Sequence, residues 1–402
     1  MISKPARSIV RAIDAAAARW RMPGSREREL SMEWVHRRTG YSFPTVRFAF
    51  DRLFGALDAA ALEAVIADEL GSLDALDGFA ERRGRPRAHA SAAGRVCIIS
   101  SRTTIGVAIV PAIFALCAKC RVLIKDREDR LAGSFFATVA EELGANDAVE
   151  VRAWSGESDA VDLGGFDVVA AFGSDATLSA IAATLPFSTR FIPYGSKASA
   201  GYVTRDALED WTGARRVARD AATDLLLFEA EGCLSLHVLF VERGAAIAPE
   251  RFAPLVVEAV RERAQELELA PLDEARAARL ASARDLALFR AGDRGSVHSD
   301  AAAGYLLVVD PEWDEPPLFL PRTLAIFAVD QPLQASSYLQ RHGVSLEGFA
   351  VTSSRADLHE AARRTSASRV TTLGSLQSPQ LGDFHGGRPR ISEFVRWVAD
   401  ET

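Results

Sequence analysis

Cys233 sits in the run Phe228-Glu229-Ala230-Glu231-Gly232-Cys233-Leu234-Ser235. The glycine before it permits close backbone approach, and Ser235 leaves a polar neighbour. Residue type alone leaves two readings for this thiol, a small core residue or a nucleophile. Phe172-Gly173-Ser174-Asp175 ends one apolar run and opens a helical one. Gly173 and Ser174 would bring free N–H groups to a phosphate there, and the same residues also make an ordinary turn and N-cap. Lys125 closes another apolar run, as a cofactor contact at a sheet edge or as a surface lysine. Cys117-Ala118-Lys119-Cys120 lies at a helix-to-strand turn and not at a helix N-terminus, where thiolates are stabilised. No second Cys/His pair has zinc spacing, so this pair reads as structural and no metal is expected. His385, in Asp383-Phe384-His385-Gly386-Gly387, is either a polar active-site residue or a loop residue.

Positioning such residues requires a sheet. Arg95–Ser100, Arg121–Lys125, Val149–Val151, Asp167–Phe172 and Phe191–Tyr194 are short apolar runs of the kind that fill buried parallel strands. Val107–Cys117, Asp129–Leu143 and the stretch from Asp175 to about Leu185 read as the helices between them. That alternation predicts a doubly wound α/β sheet whose ligands lie beyond the carboxyl ends of its strands. A second α/β unit is expected from Asp224, with strands at His237–Val241, Tyr305–Val309 and Thr323–Val329 and a helix at Glu250–Leu267. Residues 1–90 read as mainly helical, with a helix over Asp58–Leu73, and Glu81–Arg87 as a solvated basic linker. The expected division is 1–90, 91–223, 224–372 and 373–402.

Composition narrows the function. A net charge of −7 argues against a nucleic-acid footprint. Four cysteines in 402 residues do not make a disulfide framework and suggest a reducing compartment. No run reaches the ~18 apolar residues of a membrane span. Met1–Arg21 lacks the pattern of a secretory signal, so the cytoplasm is the expected location.

Several segments together resemble the acyl-CoA reductases of bacterial bioluminescence type (LuxC-like), a branch of the aldehyde dehydrogenase superfamily. They are Ala115–Lys125, Ala171–Thr177, Tyr194-Gly195-Ser196-Lys197-Ala198-Ser199, Ala218-Arg219-Asp220 with Glu231–Ser235, and Leu373–Pro379 with Gly387-Arg388-Pro389. The resemblance runs from about Val96 to Trp397. It implies an aldehyde-dehydrogenase-like fold, with a Rossmann-type cofactor domain and a catalytic thiol domain. It also implies an enzyme that takes an acyl group from a thioester onto Cys233 and reduces it to an aldehyde, a role that calls for a low-pKa thiolate.

Site residues follow from the same resemblance. Lys125, Glu128, Gly173, Ser174 and Gly195 would bind the cofactor, NADP(H) in preference to NAD(H). Arg127 would meet a 2′-phosphate, which Glu128 would repel. Thr103 stands where the superfamily places an oxyanion asparagine, with Arg102 beside it. Pro193 stands where hydrolytic relatives carry a glutamate base, and proline cannot deprotonate water. The acyl donor would be acyl-CoA or an acyl-carrier protein, with a partner enzyme and homo-oligomers in view. Two other readings stand beside this one, a thiol-to-thiol acyltransferase and a non-catalytic partner subunit.

Overall fold

The structure is a computed structural model and describes residues 1–82, 84–101, 104–126, 130–154, 161–291, 295–300, 304–309 and 316–402. The expectations placed on Arg102, Thr103, Arg127 and Glu128 lie outside the described residues. The chain divides into two compact units. The first comprises Met1–Gly40, Val46–Ser196 and Gln380–Thr402, and the second comprises Tyr41–Thr45 and Lys197–Pro379.

Four helices lead the chain, α1 (Ala6–Arg21), α2 (Arg26–Thr39), α3 (Phe43–Gly55) and α4 (Ala59–Leu70). Ile9, Val10, Ile13, Ala16, Ala17 and Trp20 form the buried stripe of α1. Trp20 packs against Phe54 at 4.9 Å and Phe135 at 5.7 Å, and its indole N–H donates to Thr138 Oγ1 at 3.1 Å.

After a short hairpin, β1 (Ala80–Arg82) and β2 (Arg85–Ala92), the sheet of the first unit begins. Its elements are β3 (Arg95–Ile99), α5 (Ile109–Cys117), β4 (Arg121–Lys125), α6 (Leu131–Leu143), β5 (Val149–Arg152), β6 (Val168–Phe172), α7 (Asp175–Thr184) and β7 (Arg190–Tyr194). All five strands run parallel, in the order β5-β4-β3-β6-β7. The chain winds outward from β3 in one direction through α5 and α6 and in the other through α7. Right-handed crossovers therefore put α7 on the opposite face, where Leu178 and Ile181 pack on Cys97, Leu123, Val169 and Ala171. The order reverses between β3 and β6, and that point is where such sheets bind ligands.

The second unit is built from β8 (Ala198–Val203), α8 (Trp211–Leu226), β9 (Leu236–Glu242), α9 (Pro249–Glu266), α10 (Glu274–Ala291), β10 (Ser296–Asp300), β11 (Tyr305–Val309) and β12 (Thr323–Val329). It continues with α11 (Pro332–Arg341), β13 (Leu346–Val351), α12 (Ala356–Arg364) and β14 (Arg369–Thr372). Among the described residues its seven strands run in the order β10-β11-β12-β9-β8-β13-β14, parallel except for β10. Tyr202, Phe240, Phe327, Tyr338 and Phe349 fill the core under α11 and α12. Each such side chain contributes about 1.5–3 kcal/mol by burial. The expected boundary at Asp224 falls elsewhere, because β8 joins this sheet between β9 and β13, so the unit begins at Lys197.

Past Pro379 the chain returns to the first unit and ends in β15 (Val395–Asp400), which pairs antiparallel with β2. The 373–402 segment is thus shared between the two units. The basic run is not a solvated linker. Glu81 and Arg82 lie in β1 and Arg85–Arg87 in β2, and the Arg82 guanidinium lies 4.0 Å over the Trp397 ring. Arg85 and Arg87 stay exposed while Ala88 and Ala90 turn inward, a pattern that basic composition conceals. No described helix is long and apolar enough to cross a membrane.

Candidate active site

Cys233 lies in the second unit, on the segment between α8 and β9. Here Phe228, Glu229 and Ala230 take φ of +57°, +56° and +58°, a left-handed turn without glycine. Each such residue costs roughly 1–2 kcal/mol, so the surroundings must hold the turn in place. Arg322, 1% exposed, does so twice. Its guanidinium donates to Glu229 Oε2 at 3.0 Å, and its backbone N–H donates to the Glu229 carbonyl at 2.8 Å. Arg276 donates to Glu231 at 3.0 Å, and the Phe228 ring meets Tyr41 edge-on at 5.8 Å.

The turn that follows carries the thiol. Ser235 N–H donates to the Gly232 carbonyl at 2.9 Å, and Gly232 N–H donates to Ser235 Oγ at 3.3 Å. Gln377 Nε2 donates to Ser235 Oγ at 3.0 Å. Gln377 is itself set by Asp224, whose carboxylate accepts from Gly374 N at 2.6 Å and Leu376 N at 3.0 Å. Burial pushes the Asp224 carboxyl up to about 7, against the pull of those two N–H groups. From the other side, Ser199 Oγ donates to the Cys233 carbonyl at 2.8 Å and accepts from Gly348 N at 3.0 Å.

Cys233 is half-buried, while the other three cysteines are buried and free. Its thiol is pushed up to about 12, first by burial and then by the Glu347 carboxylate. The N–H groups of Cys233 and Leu234 and the Lys197 ammonium pull the other way. The expectation of a low-pKa thiolate is therefore corrected. Desolvation dominates, and the resting sulfur carries its proton.

Glu347, Ser199, Gln377 and Arg322 escaped the sequence reading. Glu347 left a signal, a lone charge inside Leu346-Glu347-Gly348-Phe349-Ala350-Val351, which is otherwise apolar. Ser199 lies within the Tyr194–Ser199 stretch that carries the family resemblance, but only the register of β8 shows what it touches.

The other expected residues lie in the first unit. Lys125 ends β4 and Gly173 and Ser174 follow β6, so they flank the reversal point at the carboxyl edge. The Lys125 ammonium lies 4.8 Å over the Trp154 ring. Ser174 caps α7 by accepting from Thr177 N at 3.3 Å. Gly195 follows β7, where an added Cβ would come within 2.6 Å of Asp175 Oδ1, an atom that already accepts from Ser196 N. His385 stacks on Tyr194 at 4.6 Å, and Tyr194 on Phe172 at 4.5 Å. A cation at one strand end and helix N–H groups near the reversal point suit an anionic phosphate ligand. Among the described residues no three His, Cys, Asp or Glu converge as metal ligands.

Comparison with known proteins places this architecture. The NAD-dependent benzaldehyde dehydrogenase of Corynebacterium glutamicum superposes with a TM-score of 0.71 at 16% identity, covering 100% of this chain and 86% of its own. Aldehyde dehydrogenase 21 of Physcomitrella patens, solved with its product succinate, gives 0.71 at 11% identity, covering 98% and 86%. The NADP-dependent glyceraldehyde-3-phosphate dehydrogenase of Bacillus halodurans C-125, complexed with NADP, gives 0.67 at 14% identity, covering 92% and 79%. No curated protein sequence matches the chain. The fold is therefore aldehyde-dehydrogenase-like, as the sequence resemblance implied. The family model for acyl-CoA reductases of LuxC type matches residues 3–397. The chain belongs to the acyl-CoA reductase (LuxC) family, oxidoreductases of aldehyde chemistry.

Proposed function

We propose that the protein reduces an acyl thioester, acyl-CoA or acyl-carrier protein, to an aldehyde through an acyl-enzyme on Cys233. The observation that carries the reading is the thiol itself. It is the one cysteine of the four that is not fully buried, on a turn fixed by Ser199, Ser235, Gln377 and Arg322, where a core cysteine would need no such support. One sulfur replaces another when Cys233 takes the acyl group. The Cys233–acyl bond forms, the donor's carbon–sulfur bond breaks, and the Cys233 proton ends on the departing sulfur.

Lys125, Gly173 and Ser174 fit a dinucleotide. The ammonium suits its phosphates, and the cradle at Gly173 leaves room beside Thr177, whose nearest side-chain atoms lie 3.5 Å from an added Cβ. When bound, a reduced nicotinamide, NADP(H) in preference to NAD(H), supplies the hydride that turns the acyl thioester into aldehyde. Pro193 contributes by what it cannot do. In the resemblance it takes the place of the glutamate base of hydrolytic relatives, and a proline cannot deprotonate the water that would hydrolyse an acyl-enzyme.

Intact mass after incubation with a panel of acyl-CoAs and acyl-carrier proteins tests this. An acyl adduct should form on the wild type and be absent from Cys233→Ala, and NADPH or NADH should discharge it as aldehyde. No adduct from any donor would overturn the reading, and an adduct that survives both nucleotides would make the protein an acyltransferase.

A further inference from the structure

Two parallel strands slip register on either side of Ser199. On β13, Leu346 faces Ala198 and Gly348 faces Ser199, so Glu347 is an extra residue. On β9, Leu236 faces Ser199 and Val238 faces Ala200, so His237 is an extra residue. Such insertions re-aim a side chain, and they collect beside active sites. Glu347 is 4% exposed, a burial that a carboxylate tolerates only with partners. Lys197, at the entry to β8, stands 3.4 Å from Glu347 Oε2 and donates to Ser368 Oγ at 2.8 Å, and that hydroxyl donates to Glu347 Oε2 at 3.1 Å. One hydroxyl, Ser199 Oγ, joins the backbone beside Glu347 to the carbonyl of Cys233.

The other charged groups around Cys233 are already engaged. Glu229 is paired with Arg322, Glu231 with Arg276, and Asp224 with two backbone N–H groups. Arg369 on β14 donates to the Leu376 carbonyl. His237 on β9 is held neutral by burial and shares a hydrogen bond with the Gly232 carbonyl.

We infer that the Lys197–Glu347 pair, placed by the insertion in β13, tunes the reactivity of the Cys233 sulfur on top of its burial, the carboxylate favouring the thiol and the ammonium favouring the thiolate. Both act through Cys233 and are positioning residues. The chemistry gives the pair a purpose. The first step needs a thiolate only when a donor is present, and aldehyde release regenerates that thiolate on the enzyme. A carboxylate that keeps the sulfur protonated between turnovers protects it from oxidation, while the ammonium beside it limits the cost of ionisation. The inference rests on Cys233 being the acyl acceptor.

The test is the pH profile of Cys233 alkylation by iodoacetamide in the full-length protein, read by intact mass with Cys233→Ala as the blank. Glu347→Gln should move the midpoint to lower pH and speed alkylation at pH 7 by roughly threefold or more. Lys197→Met should move it to higher pH and slow the reaction. A purely structural role would not split the two variants in opposite directions. Superimposed profiles, or shifts of the same sign, overturn the inference. If Glu347→Gln does not fold, the sign of the Lys197→Met shift decides. Unmoved profiles alongside an acyl adduct defeat this inference and leave the proposed function standing, whereas opposed shifts with no adduct do the reverse.

Discussion

His237 shows at the scale of one residue how burial sets chemistry near the thiol. It is 5% exposed, its Nδ1 has no hydrogen-bond partner, and its ring meets Phe319 edge-on at 5.1 Å. Burial lowers its pKa to about 4, with the hydrogen bond to the Gly232 carbonyl opposing. A histidine depressed in this way favours the folded state above its unfolded pKa of 6.5, and that advantage is lost as the pH falls toward 4. The unfolding free energy of the wild type should therefore decline more steeply between pH 6.5 and 4 than that of His237→Gln, by at most about 1.4 kcal/mol per pH unit. Urea titrations across that range measure the two slopes, and parallel slopes would mean that the folded imidazole ionises normally. A cation one residue past Leu236 would compete with Lys197 for influence over Cys233, so a ring that stays neutral near pH 7 keeps that influence with the pair.

At the scale of elements, the left-handed turn between α8 and β9 depends on a residue from the start of β12. Replacing Arg322 with leucine would strip the Glu229 carboxylate of its buried guanidinium partner and leave only the backbone N–H of residue 322 on the Glu229 carbonyl to hold the turn. Breaking a buried pair from one side costs about 3–5 kcal/mol, so Arg322→Leu should lower the unfolding free energy by that order in denaturant titration. A loss below ~1 kcal/mol would mean that the turn holds itself. Dependence of this kind explains what was legible in the sequence. β3, β4, β6, β11 and β12 read correctly because strands buried on both faces are apolar runs. β8 (Ala-Ser-Ala-Gly-Tyr-Val) and β13 did not, since small residues and one glutamate break the run. The hairpin of β1 and β2 was masked by its arginines. Motifs named Cys233, but the contacts of Ser199 with its carbonyl, of Gln377 with Ser235 and of Ser368 with Glu347 come from residues far apart in the chain, which only the folded sheet and its loops bring together. The thiol's raised pKa is a property of burial, which no local spacing encodes.

At the scale of the whole molecule, the chain completes its first unit only with its last residues. Glu69 on α4 accepts from the backbone N–H groups of Arg390, Ile391 and Ser392 at 2.6, 3.0 and 2.9 Å, and from Ser392 Oγ at 2.8 Å. Arg190 on β7 donates to the carbonyls of Glu393 and Val395, and Arg396 donates to Asp167 at 2.9 Å. Asp167 also accepts from Arg95 N, close against Gly94, whose φ of +130° and nearness to that carboxylate exclude a side chain. The first unit is thus closed by residues 380–402 although its sheet is finished by Tyr194. Removing 380–402 should lower the unfolding temperature and leave β2 with a bare strand edge, a template for aggregation. Glu69→Gln is the milder form of the same change, since a neutral amide oxygen accepts more weakly than a carboxylate that receives four donors. Calorimetry of the three proteins should rank them wild type, Glu69→Gln, then truncation, with aggregation confined to the last. If the truncated chain melted like the wild type, β2 would not need β15, and the return of the chain would serve something other than the stability of this unit.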